Sequence, residues 1–390
     1  MNEREKLNEI IRLSTELSTI KDIDILLERI LFEARACVNA DAGTIYSREG
    51  DLLHFSHAQN DTLQGKLPKG EKLIYKDFSI IIDKHSSVAG YVASTGEVLN
   101  IPDVYNLCSG CGYYFDVEFD KKSGYRTKSM LTVPLRYETD EVIGVIQVIN
   151  AKDNDGNIIE FTEDDALFIK HFASTASIAM KNARMTRTLL LRMIHMAELR
   201  DPKETGAHVN RVAAYSVEIY ERWANKRGLD RKEIDSNRDV LRMAAMLHDV
   251  GKVAISDTIL KKPAKLTPEE YEVMKQHTTL GAELFTNTES RFDRIAAVIA
   301  VSHHENWDGT GYPKKPKGED ISIFGRIVAV ADVYDALSCK RVYKEAWKEE
   351  DVIEEIKHLS GTKFDPEVVD AFFKSLTVIK AIAEKYPDKN

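Results

Sequence analysis

The chain has 390 residues, room at roughly 100–200 residues per domain for two separate cores, so a single small fold is excluded. Hydrophobic residues make up 43% and charged residues 30%, which excludes a disordered or low-complexity chain. The formal net charge of -9 excludes a general nucleic-acid binder, which neutralises phosphates with surplus Lys and Arg. Any anionic ligand therefore needs a local basic pocket. Cysteines at 37, 108, 111 and 339 are too few and too scattered for a disulfide framework, so a reducing compartment is expected. The first residues lack the apolar core of a signal peptide, and no stretch approaches the ~18 apolar residues of a membrane span. A cytoplasmic protein without membrane contact is the expectation.

Ile10, Leu13, Leu17 and Ile20 recur at 3-4-3 spacing, which predicts an N-terminal helix over residues 1–20 with a narrow apolar seam. From Gly43 to Asn150 short β-rich runs replace this period: Thr44 to Tyr46, Leu52 to Phe55, Met130 to Leu135 and Val142 to Ile149. The last two read as an antiparallel hairpin across the polar turn Glu138 to Glu141. An antiparallel sheet flanked by helices is expected over 21–183, an α+β domain.

At Phe161 the helical period returns, with Thr162 as N-cap and Asp164 and Asp165 in the first turn, and it runs without Pro or Gly to Arg200. A long connecting helix is predicted over 163–200. Positions 168, 172, 175, 179, 182, 186, 189, 193 and 196 alternate at four and three, a coiled-coil seam in which Asn182 suits a paired polar layer. That pattern points to a homodimer. The bland reading is a helix packed on its own domain. Asp201-Pro202 ends the run, and 201–390 reads as an all-α domain. Within it Thr267, Pro268 and Glu270 spell a capping box, which defines the start of a helix carrying His277.

The chemistry is signalled by where histidines fall. Five of the 11 in the chain lie at 208, 248, 277, 303 and 304, at or near helix ends. Glu204 and His208 at i, i+4 share a face if helical. His248-Asp249 is read as the end of an apolar helix from Val240 to Val250, closed by Gly251 at a C-cap. Adjacent helical side chains diverge by about 100°, so such a pair serves neighbouring ions better than one ion. His303-His304 repeats the device. Asp332 directly follows the apolar run Ile327 to Ala331, where a carboxylate is costly to bury without a cation. Imidazole and carboxylate without thiolate suit iron, manganese or another borderline first-row ion better than structural zinc.

These residues resemble a known family. His248-Asp249-Val250-Gly251-Lys252 and the run His303-His304-Glu305-Asn306-Trp307-Asp308-Gly309-Thr310-Gly311-Tyr312-Pro313 look like the two signatures of HD-GYP domains, a branch of the HD phosphohydrolase superfamily. The likeness extends from about 200 to 380. It implies an HD-type helical domain and metal-dependent phosphodiesterase activity on cyclic di-GMP, with either the linear dinucleotide or GMP as the final product. The implied metal ligands are His208, His248, Asp249, His277, His303, His304 and Asp332, with Asp249 bridging and itself catalytic. Glu204 as an eighth ligand implies three divalent transition-metal ions instead of two. Lys252 is read as assisting the transition state or leaving group, against a helix-end lysine complementing the dipole. Tyr312 offers a ring and hydroxyl near substrate, or belongs to a structural turn. The resemblance places Arg341 and Lys344 as phosphate grips, which answers the need for local basicity.

Residues 21–183 resemble GAF domains, which commonly sense small ligands or dimerise; the sequence names no ligand for it. Cys108 and Cys111 in a loop lack the neighbours of a zinc or thioredoxin-like site and read as ordinary thiols. Two other functions compete: hydrolysis of another cyclic dinucleotide or a nucleotide monoester, and a non-catalytic module that binds the dinucleotide or a diguanylate-cyclase partner.

Overall fold

The computed structural model describes residues 3–68, 70–75, 78–83, 87–137, 141–199, 206–286, 290–339 and 347–388. The chain divides into two units, Met1–Arg187 and Thr188–Asn390.

In the first unit, α1 (Glu3–Thr19) and α2 (Ile23–Cys37) precede the strands β1 (Ala40–Glu49) and β2 (Leu52–Asn60). Asp22 starts α2 by accepting from the backbone of Asp24 and Ile25. Short helix α3 (Asp61–Gln64) leads to β3 (Ser79–Ile81), α4 (Val88–Thr95), β4 (Leu99–Ile101) and α5 (Glu118–Ser123). Then come β5 (Met130–Arg136), β6 (Val142–Lys152), the two-residue β7 (Ile158–Ile159) and the long α6 (Glu163–Glu198), whose residues from Thr188 on belong to the second unit. Sheet order is β3-β2-β1-β6-β5-β4, with β7 on β6. The expected β5–β6 pair is antiparallel, with Val133 opposite Ile146. Because β6 has helices on one face and α4 on the other, most of its residues are buried, which is why it reads as an unbroken apolar run.

One face of the sheet carries Leu26, Ile30 and Leu31 of α2 and Phe168, Ile169 and Phe172 of α6, packed on Leu131, Val133, Ile146 and Val148. Leu13 and Leu17, half of the N-terminal seam, join this core. Thr162 caps α6 as read, exchanging hydrogen bonds with Asp165. The seam read for α6 is covered by its own domain at its start and open at its end. Phe168, Phe172 and Ala179 are buried in their own unit, because the sheet needs a helical cover on that face. The exposed apolar positions of α6 are Leu167, Ile178 and Met185 and, from the seam itself, Leu189, Met193 and Met196.

The second unit is helical: α7 (Gly206–Arg227), α8 (Arg231–Ala244), α9 (Asp257–Leu260), α10 (Pro268–Lys275), α11 (His277–Glu283), α12 (Arg291–Ser302), α13 (Ile323–Ser338), α14 (Glu349–His358) and α15 (Pro366–Lys385). Helix α7 packs against α8, α13 and α15 through Val212, Tyr215, Ile219, Leu241, Val328 and Phe372. Two readings of this half need correction. The apolar helix stops at Ala244 and continues as two 3₁₀ turns, Ala245–Leu247 and Val250–Ala254, with His248-Asp249 between them. Gly251 is therefore no helix cap. A Cβ there would lie 2.0 Å from the His277 carbonyl and 2.4 Å from the Gly281 nitrogen, so its missing side chain lets the turn touch α11. The capping box of α10 is present, but that helix ends at Lys275 and His277 opens the next one.

Candidate metal centre

Each of the separate segments brings one or two ligand-type side chains inward. His208 stands near the start of α7 and Asp332 in the middle of α13. His248 and Asp249 come from the join between the 3₁₀ turns, His277 from the first position of α11, and His303 and His304 from the end of α12.

The outward ring nitrogens are tied down. His248 Nδ1 lies 2.9 Å from the Ala245 carbonyl, His277 Nδ1 2.7 Å from that of Met274, and His303 Nδ1 3.1 Å from those of Ile299 and Ala300. A carbonyl oxygen only accepts, so Nδ1 carries the proton and Nε2 presents its lone pair inward. His208 achieves the same against a carboxylate, with Nδ1 2.8 Å from Asp335 Oδ2. Arg211 holds that carboxylate through two donors at 2.6 and 2.9 Å. Burial would raise the Asp335 carboxyl, but His208 and Arg211 outweigh it and hold the group ionised, below its ordinary value.

Two groups of potential ligands result, each with its ligand atoms within 4.8 Å of one another: Asp249, His277, His303 and His304, and beside them His208, His248 and Asp332. Asp249 stands between them. Its Oδ1 is 3.1 Å from His277 Nε2 and 3.6 Å from His303 Nε2, while Oδ2 is 3.4 Å from His248 Nε2. Asp332 Oδ1 is 3.6 Å from His208 Nε2 and 4.0 Å from His248 Nε2. The pair His248-Asp249 thus divides between the groups, as the sequence suggests. The pair His303-His304 does not. Its rings lie 4.1 Å apart in one group, because the chain turns out of α12 at His303 and the helical divergence no longer applies.

Asp249 Oδ1, His277 Nε2 and His303 Nε2 are buried and lack a hydrogen-bond partner among the described residues. Buried lone pairs that converge repel one another and are costly to leave without a partner. A divalent cation cures both defects, so the donor set fits one. Burial opposes the charge on Asp249, yet Lys252 and His248 outweigh it and hold the carboxyl well below the usual range. Burial lowers His303 and, with His303 beside it, lowers His304 further, which keeps both rings in the metal-binding form.

Lys252 donates to Asp249 Oδ2 at 2.7 Å. Tyr312 lies over His304 with ring centroids 4.9 Å apart. Its loop returns there because the Tyr312 amide donates to the His304 carbonyl at 3.2 Å. A Cβ on Gly311 would sit 2.6 Å from that same oxygen and 2.3 Å from the Asn306 nitrogen. Glu305 closes the loop by accepting from the Lys314 and Lys315 amides. Glu204, Arg341 and Lys344 lie outside the described residues. Sequence reasoning missed Asp335 and Arg211, whose signal was spacing: each falls three residues after a ligand candidate, Asp332 and His208. It also missed Tyr271 and Lys275, which flank Tyr312.

A helix-flanked antiparallel sheet followed by a helical unit built around His and Asp defines the class: a GAF domain followed by an HD domain. Residues 22–180 match the GAF domain family and residues 182–368 the HD domain family. Among curated proteins, the chain is 38% identical over 236 residues to the 3'3'-cGAMP-specific phosphodiesterase 2 of Vibrio cholerae, covering 59% of this chain and 44% of that one. It is 41% identical over 220 residues to a probable cyclic di-GMP phosphodiesterase of Vibrio cholerae, covering 53% and 48%. It is 42% identical over 195 residues to the cyclic di-GMP phosphodiesterase of Thermotoga maritima, covering 50% and 50%. The chain spans about half the length of these relatives. No helix among the described residues is long and apolar enough to cross a membrane.

Proposed function

We propose that the chain is a metal-dependent phosphodiesterase that hydrolyses cyclic di-GMP, to the linear dinucleotide or on to GMP, under the control of its GAF domain. The observation that carries this reading is Asp249, with one oxygen facing His277 and His303 and the other facing His248 and Lys252.

His208, His248 and Asp332 would hold one ion and His277, His303 and His304 a second, with Asp249 between them. Glu204 would complete a third site. The neutral imidazoles and carboxylates suit iron or manganese. Bound divalent ions supply charge for the phosphate oxygens and activate water at neutral pH. The chain's own groups do the rest. Lys252 Nζ brings positive charge to the edge of the centre and can give a proton to the departing ribose 3' oxygen. Tyr312 borders the centre at His304 and bounds the volume open to substrate, while Arg341 and Lys344 would grip phosphate. The exposed apolar stripe of α6, Ile178, Met185, Leu189 and Met196, repeats at near-heptad spacing and supports a homodimer through that helix.

The test is product analysis on protein loaded with iron or manganese without oxygen, with metal content measured in parallel. Turnover of cyclic di-GMP at two or three ions per chain is expected; metal-loaded protein that leaves every cyclic dinucleotide intact would overturn the reading. A second substrate, 3'3'-cGAMP, is favoured by the name of the Vibrio cholerae relative. Competition between the two substrates decides it.

A further inference from the structure

Tyr271 projects from α10 with 45% of its surface exposed. Single exposed aromatics are common on soluble proteins and need no explanation. This one is fixed on several sides. Its ring meets Tyr312 edge-on, with centroids 6.4 Å apart and planes at 77°, and Tyr312 in turn lies on His304. The Lys275 ammonium sits 4.8 Å from the Tyr271 centroid and 5.4 Å from that of Tyr312, a cation shared by two rings. Glu272 holds Lys275 in place at 2.6 Å. The start of α10 is anchored as well, since Glu270 serves both the Thr267 capping box and an ion pair with Lys262 at 2.6 Å.

An aromatic shelf thus runs outward from the candidate centre: His304, Tyr312, Tyr271. It is rigid and half open to solvent, which is the arrangement that takes a flat, apolar-faced group beside a phosphate. Nucleobases stack on such rings without the protein having to order a loose side chain first. We infer that Tyr271 is a substrate-binding residue that stacks one purine of a cyclic dinucleotide, with Lys275 as the positioning residue that locks its ring to Tyr312. This inference rests on the proposed function, which supplies the dinucleotide.

The experiment compares wild type with Tyr271→Ala, Tyr271→Phe and Lys275→Met in the full chain. The manganese-loaded proteins are assayed on cyclic di-GMP and on methyl p-nitrophenyl phosphate, a diester without a nucleobase. Cyclic di-GMP affinity of the metal-free proteins is measured by calorimetry. Stacking predicts that Tyr271→Ala raises KM and Kd for cyclic di-GMP on the order of 10-fold, leaves kcat and methyl p-nitrophenyl phosphate turnover within about two-fold, and is rescued by Tyr271→Phe. Lys275→Met should shift KM the same way by a smaller factor. Unchanged KM and Kd in Tyr271→Ala, or an equal loss on both substrates, would overturn the inference while wild-type turnover keeps the proposed function standing. A wild type that neither binds nor cleaves a cyclic dinucleotide overturns both together.

Discussion

Asp335 stands directly behind His208, with its Oδ2 2.8 Å from the ring Nδ1, and so fixes which face of that imidazole looks into the centre. Replacing a partner that orients a ligand typically weakens metal binding about 10–100-fold. Asp335→Asn should do so here, because a carboxamide can turn its NH2 toward Nδ1 and favour the wrong tautomer. Competition against a calibrated chelator reads the change. Wild-type metal affinity in the variant would mean that the contact serves packing alone.

Lys252 donates to Asp249, and its ammonium has no lone pair to offer a cation. Lys252→Gln should therefore keep the metal content of wild type and lower kcat by about 100-fold, the scale of losing one donor to developing charge. Elemental analysis and steady-state kinetics on the same preparation separate the two effects. A variant that loses metal in proportion to activity would make Lys252 a structural counter-ion.

Gly251 packs against backbone, not against a flexible side chain. Gly251→Ala must push the turn and α11 apart, which should cost about 1–3 kcal/mol. Because His248, Asp249 and His277 ride on the surfaces being separated, metal affinity should fall with stability. Urea unfolding and metal titration check this; a variant as stable as wild type would contradict the close approach.

In the first unit, burial would raise the carboxyl of Asp41, but hydrogen bonds from Lys152, Tyr125 and Thr62 outweigh it and hold the pKa below its ordinary 3.8. A depressed carboxyl contributes stability that is complete above the unfolded value and is lost as pH falls through the folded one. The melting temperature of wild type should thus exceed that of Asp41→Asn at pH 6, with the gap closing below about pH 4 as the unfolded chain stops releasing that proton. A gap constant from pH 6 to pH 3 would rule the linkage out.

Leu189 and Met196 are exposed on α6, at 53% and 66%. If they form the dimer seam, Leu189→Glu with Met196→Glu should turn a dimer into a monomer at micromolar concentration. Light scattering would show it, and a wild type that is already monomeric would remove the seam.

The centre was legible because its ligands are short-range signals: adjacent His-Asp and His-His pairs, and an acid inside an apolar run. What escaped was set by tertiary contact. Nothing in the local spacing of Gly251 tells a helix cap from a backbone crossing, since both select glycine. The His303-His304 pair looked like a divided pair because a helical angle was assumed where the chain turns. The start of the α6 seam, as far as Ala179, escaped for a similar reason. A heptad pattern does not say whether a sheet or a second helix covers it, and here Phe168 and Phe172 face the sheet. Tyr271 was invisible because its neighbour Tyr312 lies in another segment.

The ligand-type side chains reach the centre from five places between His208 and Asp332, so an ion held there would act as a clasp joining distant parts of the second unit. Binding that favours the folded chain alone stabilises it by RT ln(1 + [L]/Kd). The thermal midpoint of the helical half should accordingly track free metal concentration and fall on chelation. Metal scarcity would then reach this protein twice, once through turnover and once through how long the folded chain survives.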